Sequence, residues 1–331
     1  MGNTMRANLW PAGIVPYEIH PELPNKQRAE QAIEDWNSLK VPVTLVPRED
    51  QQDYVEFVAA EYSSSRRGCV GGYQEITLSP EYSAGVVLHE VGHAVGLAHE
   101  HNRHDRDRYL ERICWENISP EALAYFQPRP DDGDEPGEYD FESIMHYSQM
   151  TFSRNRRPTI APRMDRVPHG ALIGQRQKLS AGDVERLHHL YRLDAAAPGG
   201  DTRAPAATSR HPVGTYFVSV VRGSIIVPSD APTVAARAVV RVRDLAYSDA
   251  PERRVVAGSR MLVNVAPDAR IDFSVDVPDG TVADGLTPSV EVHIDLDGSG
   301  YFSRGDLISK EPHWVLPTTP DAPIDVPVSV I

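Results

Sequence analysis

The chain is 331 residues long, about twice the usual domain length, so two domains are expected. Hydrophobic residues make up 40% and charged residues 24%, a globular balance that excludes a disordered or fibrous chain. No stretch approaches the roughly 18 consecutive apolar residues of a membrane span. With 47 acidic against 33 basic residues the net charge is −14, which argues against a nucleic-acid partner, since phosphate affinity needs clustered Lys and Arg.

The N-terminus, MGNTMRANLWPAGIVPYEI, has no basic region followed by an apolar run, so it does not read as a signal peptide. Either a cytosolic protein or a trimmed mature form is compatible with that. Ile14–Ile19 reads as a strand, and Asn25 as the cap of a helix to Ser38, with Ala29, Ala32, Ile33 and Trp36 on one face. Val43–Val46, Tyr54–Ala59 and Ile76–Leu78 read as further strands. Val86–Ala98 reads as a helix, and residues 118–146 as mostly loop. Ser180 and Asp183 open a last helix ending near Tyr191 through a capping-box pattern.

Residues 195–211 are rich in Ala, Pro and Gly and form a linker between a first domain, 1–194, and a second, 212–331. Beyond it, 238–245, 271–277 and 289–296 alternate apolar and polar residues, which suggests a small all-β sandwich.

Five of the 13 histidines fall between His89 and His104. In His89-Glu90-Val-Gly-His93-Ala-Val-Gly96-Leu-Ala-His99, the first two imidazoles lie four residues apart on one helix face and can bind one Zn²⁺. Glu90 sits beside the metal as a base for metal-activated water. Gly96 lets the chain reverse and return His99 as a third ligand, which leaves a position open for water, the catalytic arrangement. The neighbouring apolar residues make this a buried helix, and buried His and Glu need partners. Ser143-Ile144-Met145-His146-Tyr147 follows as a Met-turn.

The string from His89 to Arg106 and the SIMHY turn resemble the astacin family of metzincin zinc peptidases, with weaker echoes over about residues 8–193. The resemblance implies an α+β domain, a mixed twisted sheet with a catalytic helix, that hydrolyses protein or peptide substrates. It implies His89, His93 and His99 as zinc ligands and Glu90 as general base. It further implies Tyr147 as an extra phenolic ligand and stabiliser of the tetrahedral intermediate, Met145 beneath the metal, and Glu100 as the anchor of the processed N-terminus. A secreted or cell-envelope location goes with it. The family's two disulfides are not matched: only Cys69 stands at a family cysteine position, so Cys69 and Cys114 are expected to be free thiols.

Other signals are weaker. Residues 295–306 offer oxygen ligands at Asp295, Asp297, Ser299, Ser303 and Asp306, and a backbone carbonyl at Tyr301, in the spacing of a Ca²⁺ loop; a polar hairpin turn uses the same residues. The second domain faintly resembles the pilotin-like β-sandwich domains of bacterial envelope lipoproteins. Arg154, Arg156 and Arg157 read as a solvated loop or as a cleft feature favouring acidic side chains. The alternative function is a metal-binding adhesion or envelope protein whose β domain carries the activity.

Overall fold

A computed structural model describes residues 9–129, 136–196, 220–244, 255–277, 288–299, 304–309, 313–315 and 323–330. Residues 197–211 of the expected linker lie outside them, as do Tyr301 and Ser303.

In the first half, β1 (Ile14–Ile19), β2 (Thr44–Pro47), β3 (Tyr54–Ala59), β4 (Ser64–Ser65) and β5 (Tyr73–Leu78) form one sheet in the order β2-β1-β3-β5-β4. The first three neighbouring pairs are parallel, and β4 alone runs antiparallel along the edge beside β5. Helix α1 (Gln27–Ser38) buries Ala29, Ala32, Ile33 and Trp36, the i, i+3, i+4, i+7 stripe that packs a helix on a core. Asn25 is not its cap. It lies in the left-handed region at φ +53, and Lys26 at the N-cap makes no side-chain cap bond. Helix α2 (Ala84–Ala94), capped by the Ser83 hydroxyl, shares one apolar core with Trp36, Phe57, Ile76 and Leu187.

Strands β6 (Leu110–Ile113) and β7 (Ile160–Pro162) form a separate antiparallel pair, and Pro120–Phe126 is a 3₁₀ helix. Helix α3 (Ala181–Ala196) outruns the expected end near Tyr191 and absorbs the first two linker residues. Its start is a reciprocal capping box: Asp183 N–H donates to Ser180 Oγ at 3.0 Å, and Ser180 N–H to Asp183 Oδ2 at 2.9 Å.

Among the described residues the second half is all strand: β8 (Val220–Ile226), β9 (Val234–Asp244), β10 (Val255–Val265), β11 (Arg270–Asp276), β12 (Pro288–Asp295), β13 (Leu307–Ile308), β14 (His313–Trp314), β15 (Ile324–Pro327) and β16 (Ser329–Val330). One sheet runs β10-β9-β12-β13-β16 with β14 also on β12; the other runs β11-β8-β15. Alternate residues of both, such as Val240, Val242, Val292, Ile225, Val275 and Val326, meet in one apolar cluster, which is the period-2 burial the sequence alternation requires. Among the described residues, Gln127 Nε2 donates to the Ser309 carbonyl at 2.9 Å across the halves, and Ile308 belongs to the same apolar cluster as Phe126 and Tyr147.

Candidate metal centre

Helix α2 stops at Ala94, four residues before its expected end, and the reason is Gly96. Its φ of +114 permits a Schellman ending, in which Gly96 N–H donates to the His93 carbonyl at 2.8 Å and Leu97 N–H to the Gly92 carbonyl at 2.9 Å. Two further terminal carbonyls are also taken: Trp10 Nε1 donates to Ala94 at 2.7 Å and the Tyr191 hydroxyl to Val95 at 3.1 Å. The reversal brings His99 back onto the helix face, so one ligand nitrogen each of His89, His93 and His99 lies within 4.8 Å of the others.

The hydrogen bonds fix two tautomers. His89 Nδ1 lies 2.7 Å from the Ile144 carbonyl and His93 Nδ1 3.0 Å from the Leu97 carbonyl. A carbonyl only accepts, so each Nδ1 carries the proton and each Nε2 of the neutral ring presents a lone pair. His93 Nε2 stands 3.1 Å from His99 Nε2. Nitrogens bound at about 2.1 Å to one tetrahedral zinc are roughly 3.4 Å apart, so this pair stands near the spacing that a shared zinc would need.

Glu90, 1% exposed, is fixed by a residue that the sequence did not single out. Ser65 Oγ, on the edge strand β4, lies 2.8 Å from Glu90 Oε2 and 2.7 Å from the Glu90 carbonyl, sharing its proton between them. Met145 is fully buried below the helix, where a Cβ built on Gly92 would come within 2.8 Å of its Sδ. Tyr147 is also buried, its ring 4.5 Å from His99 and stacked at 3.9 Å on His101.

His101 and His146, likewise not singled out, hold this wall together. Burial pushes the His101 imidazole well below its usual range, and that of His146 down to about 4, so both are neutral. His101 Nε2–H donates to the Tyr125 carbonyl at 2.9 Å. His146 Nδ1–H donates to the Tyr147 carbonyl at 2.6 Å, which leaves Nε2 to accept from the Tyr139 hydroxyl at 2.6 Å. Their signal was only their place inside the motif strings.

Glu100, which the family resemblance pairs with the N-terminus, has a partner within the fold. Arg186 Nη1 lies 2.5 Å from its Oε2, while Arg186 Nη2 and the Asp140 N–H donate to Oε1 at 2.8 and 2.6 Å. Burial pushes its carboxyl up to about 7, against the pull of Arg186, Arg103 and the Asp140 amide. The first eight residues lie outside the described ones.

Away from this centre, carboxylate oxygens of Asp295, Asp297 and Asp306 lie within 4.8 Å of one another, at the turn between β12 and β13. Asp306 accepts from Leu296 N–H at 2.8 Å and faces His293 Nε2 at 3.0 Å; Asp297 accepts from Ser299 N–H at 2.8 Å. Arg154, Arg156 and Arg157 are exposed on a solvated loop. Cys69 and Cys114 are free and buried.

Comparison with known proteins matches the Astacin family model (peptidase family M12A) over residues 2–192. Human Tolloid-like protein 1 is 35% identical over 237 residues, covering 66% of this chain but only 23% of the relative's length. The zinc metalloproteinase nas-14 of Caenorhabditis elegans is 38% identical over 195 residues, 56% of this chain and 37% of its own. Among solved structures, high choriolytic enzyme 1, a hatching enzyme zinc-protease from Oryzias latipes, aligns with a TM-score of 0.50 and 33% identity, over 56% of this chain and 94% of that one. A pilotin from the type II secretion system of Vibrio cholerae aligns at 18% identity over 33% of this chain and 96% of that one, with a TM-score of 0.27, which carries nothing about fold or function. With the family model covering more than half its length, the chain belongs to the astacin family of peptidases.

Proposed function

We propose that the chain is a zinc-dependent endopeptidase whose catalytic unit is residues 1–194. The observation that carries this reading is the convergence of His89, His93 and His99 beside a Glu90 carboxylate tethered by Ser65. Zinc, when bound by the three imidazoles, acidifies a water and polarises the scissile carbonyl. Glu90 takes the proton from the attacking water and returns it to the leaving amine as the C–N bond breaks. Tyr147, the expected additional ligand, donates its hydroxyl proton in a hydrogen bond to the developing oxyanion. Met145 and Gly96 have supporting roles: one packs beneath the helix, the other turns the chain to His99.

Protein or peptide substrates fit a site built beside a sheet edge. The sheet edge at β4 is the side assigned to an extended peptide in this reading, and β4 carries the Ser65 that holds the general base. Turnover of an unstructured protein substrate, abolished by a chelator and restored by one equivalent of Zn²⁺, is the expected result. Turnover that survives complete metal removal contradicts the proposal. Residues 212–331 form, in the same reading, an accessory β-sandwich after the linker at 195–211. A secreted or envelope location is part of the proposal, tested by fractionating the producing cells.

Ca²⁺ is the cofactor proposed for the turn at 295–306, on the strength of three converging carboxylates and the left-handed Gly298 at φ +72. Calorimetric titration of the chelated full chain with Ca²⁺ should give one saturable binding event lost in Asp297→Asn. No heat and no thermal stabilisation would rule it out.

A further inference from the structure

Helix α3 contributes no zinc ligand, yet two of its buried charged side chains grip the Met-turn that backs His89 and the residue that follows His99. Asp183 Oδ1 accepts from the Ser143 hydroxyl at 2.5 Å, and Oδ2 accepts from the Ile144 N–H at 2.9 Å. The carbonyl of that same Ile144 takes the proton of His89 Nδ1. One turn along the helix, Arg186 places both terminal nitrogens on Glu100, at 2.5 and 2.8 Å. Glu100 directly follows His99, and its N–H donates to the Met145 carbonyl at 3.2 Å. Arg186 Nη1 also lies 3.8 Å from Asp183 Oδ1, so the two arms are linked. Asp183, Ser143, Glu100 and Arg186 are all buried.

We propose that Asp183 and Arg186 are positioning residues through which α3 sets the spacing of His89 and His99, and so the tightness and geometry of metal binding. The proposal rests on the reading of the histidine triad as a zinc site. A buried carboxylate held by a planar two-nitrogen fork has one low-energy orientation, which passes to the adjacent backbone of His99. The Asp183 arm does the same for His89 through a single residue, Ile144, whose N–H it holds and whose carbonyl takes the His89 proton. Groups that orient metal ligands from behind alter metal affinity by about 10–100-fold when removed. The arrangement also explains why two opposite charges are buried beside the site. An apolar pair would fill the same volume, and a buried ion pair is by itself weak evidence of stabilisation.

The test uses the full chain with Zn²⁺ and Co²⁺ as probes. Arg186→Gln leaves the Glu100 carboxylate buried without its main partner and risks unfolding. The double variant Glu100→Gln with Arg186→Met removes both charges together and keeps the volume. Zinc release to a chelating dye should be about 10–100-fold faster in the double variant, and the visible spectrum of its Co²⁺ form should shift, while circular dichroism stays native. Arg186→Lys, which keeps the charge and loses the fork, should show a smaller acceleration in the same direction. Wild-type zinc release and an unshifted Co²⁺ spectrum in a folded double variant would overturn the proposal alone. A wild-type chain that takes up neither metal would overturn the proposal together with the zinc reading.

Discussion

Ser65 on the edge strand holds Glu90 from the side, its hydroxyl 2.8 Å from Oε2 and 2.7 Å from the Glu90 carbonyl. One carboxylate oxygen is thereby committed to the protein, and the plane of the group is set before any substrate arrives. The contact joins the strand proposed to pair with the peptide to the base proposed to act on it. Ser65→Ala should lower kcat by about 3–20-fold, since a hydrogen bond to a charged group contributes about 1.5–3 kcal/mol and part of it survives as water. Zinc content and KM should stay near wild type; a loss appearing only in KM would assign Ser65 to substrate binding.

Tyr147→Phe keeps the ring that stacks on His101 and removes only the hydroxyl. If that hydroxyl stabilises the oxyanion, kcat should fall by about 10²–10³-fold with KM nearly unchanged. An effect confined to KM would refute stabilisation of the transition state.

At Gly92 the Met-turn packs close against helix α2, with Met145 Sδ 2.8 Å from where a Cβ would stand. Gly92→Ala should cost about 1–3 kcal/mol by overpacking, despite the better helix propensity of Ala. A lowered midpoint in urea unfolding at constant m-value is the expected readout. An unchanged midpoint would mean that Met145 has room to yield.

Much of this centre was legible in the sequence because its geometry is local. His89 and His93 share a helix face by spacing alone, and Gly96 marks the reversal that returns His99. What was hidden depends on contacts between distant segments. Ser65 lies in a polar run that reads as loop, and only pairing with β5 makes it an edge strand. Nothing in the local pattern around Arg186 announces Glu100 as its partner 86 residues away. The helix end was misplaced because the apolar run continues to Ala98, past the point where the glycine stops it. Asn25 has a capping residue's chemistry but occupies a left-handed turn instead.

The cysteines give an independent check on the core. Cys69 and Cys114 are free, and burial pushes both thiols above their usual range. Neither should react with Ellman's reagent at pH 8 in the folded protein, and both should react in denaturant. A reductant should leave the thermal midpoint unchanged. Fast labelling of either thiol under native conditions would contradict its placement.

Glu90→Gln, read for metal and turnover together, separates the base from the metal site. The substitution keeps the shape of the side chain and its contact with Ser65 while removing the base. Zinc should stay close to one per chain while kcat falls by about 10²–10⁴-fold, the range expected for loss of a general base. A variant that keeps its zinc and hydrolyses peptide bonds at the wild-type rate would contradict the assignment of Glu90 as the base.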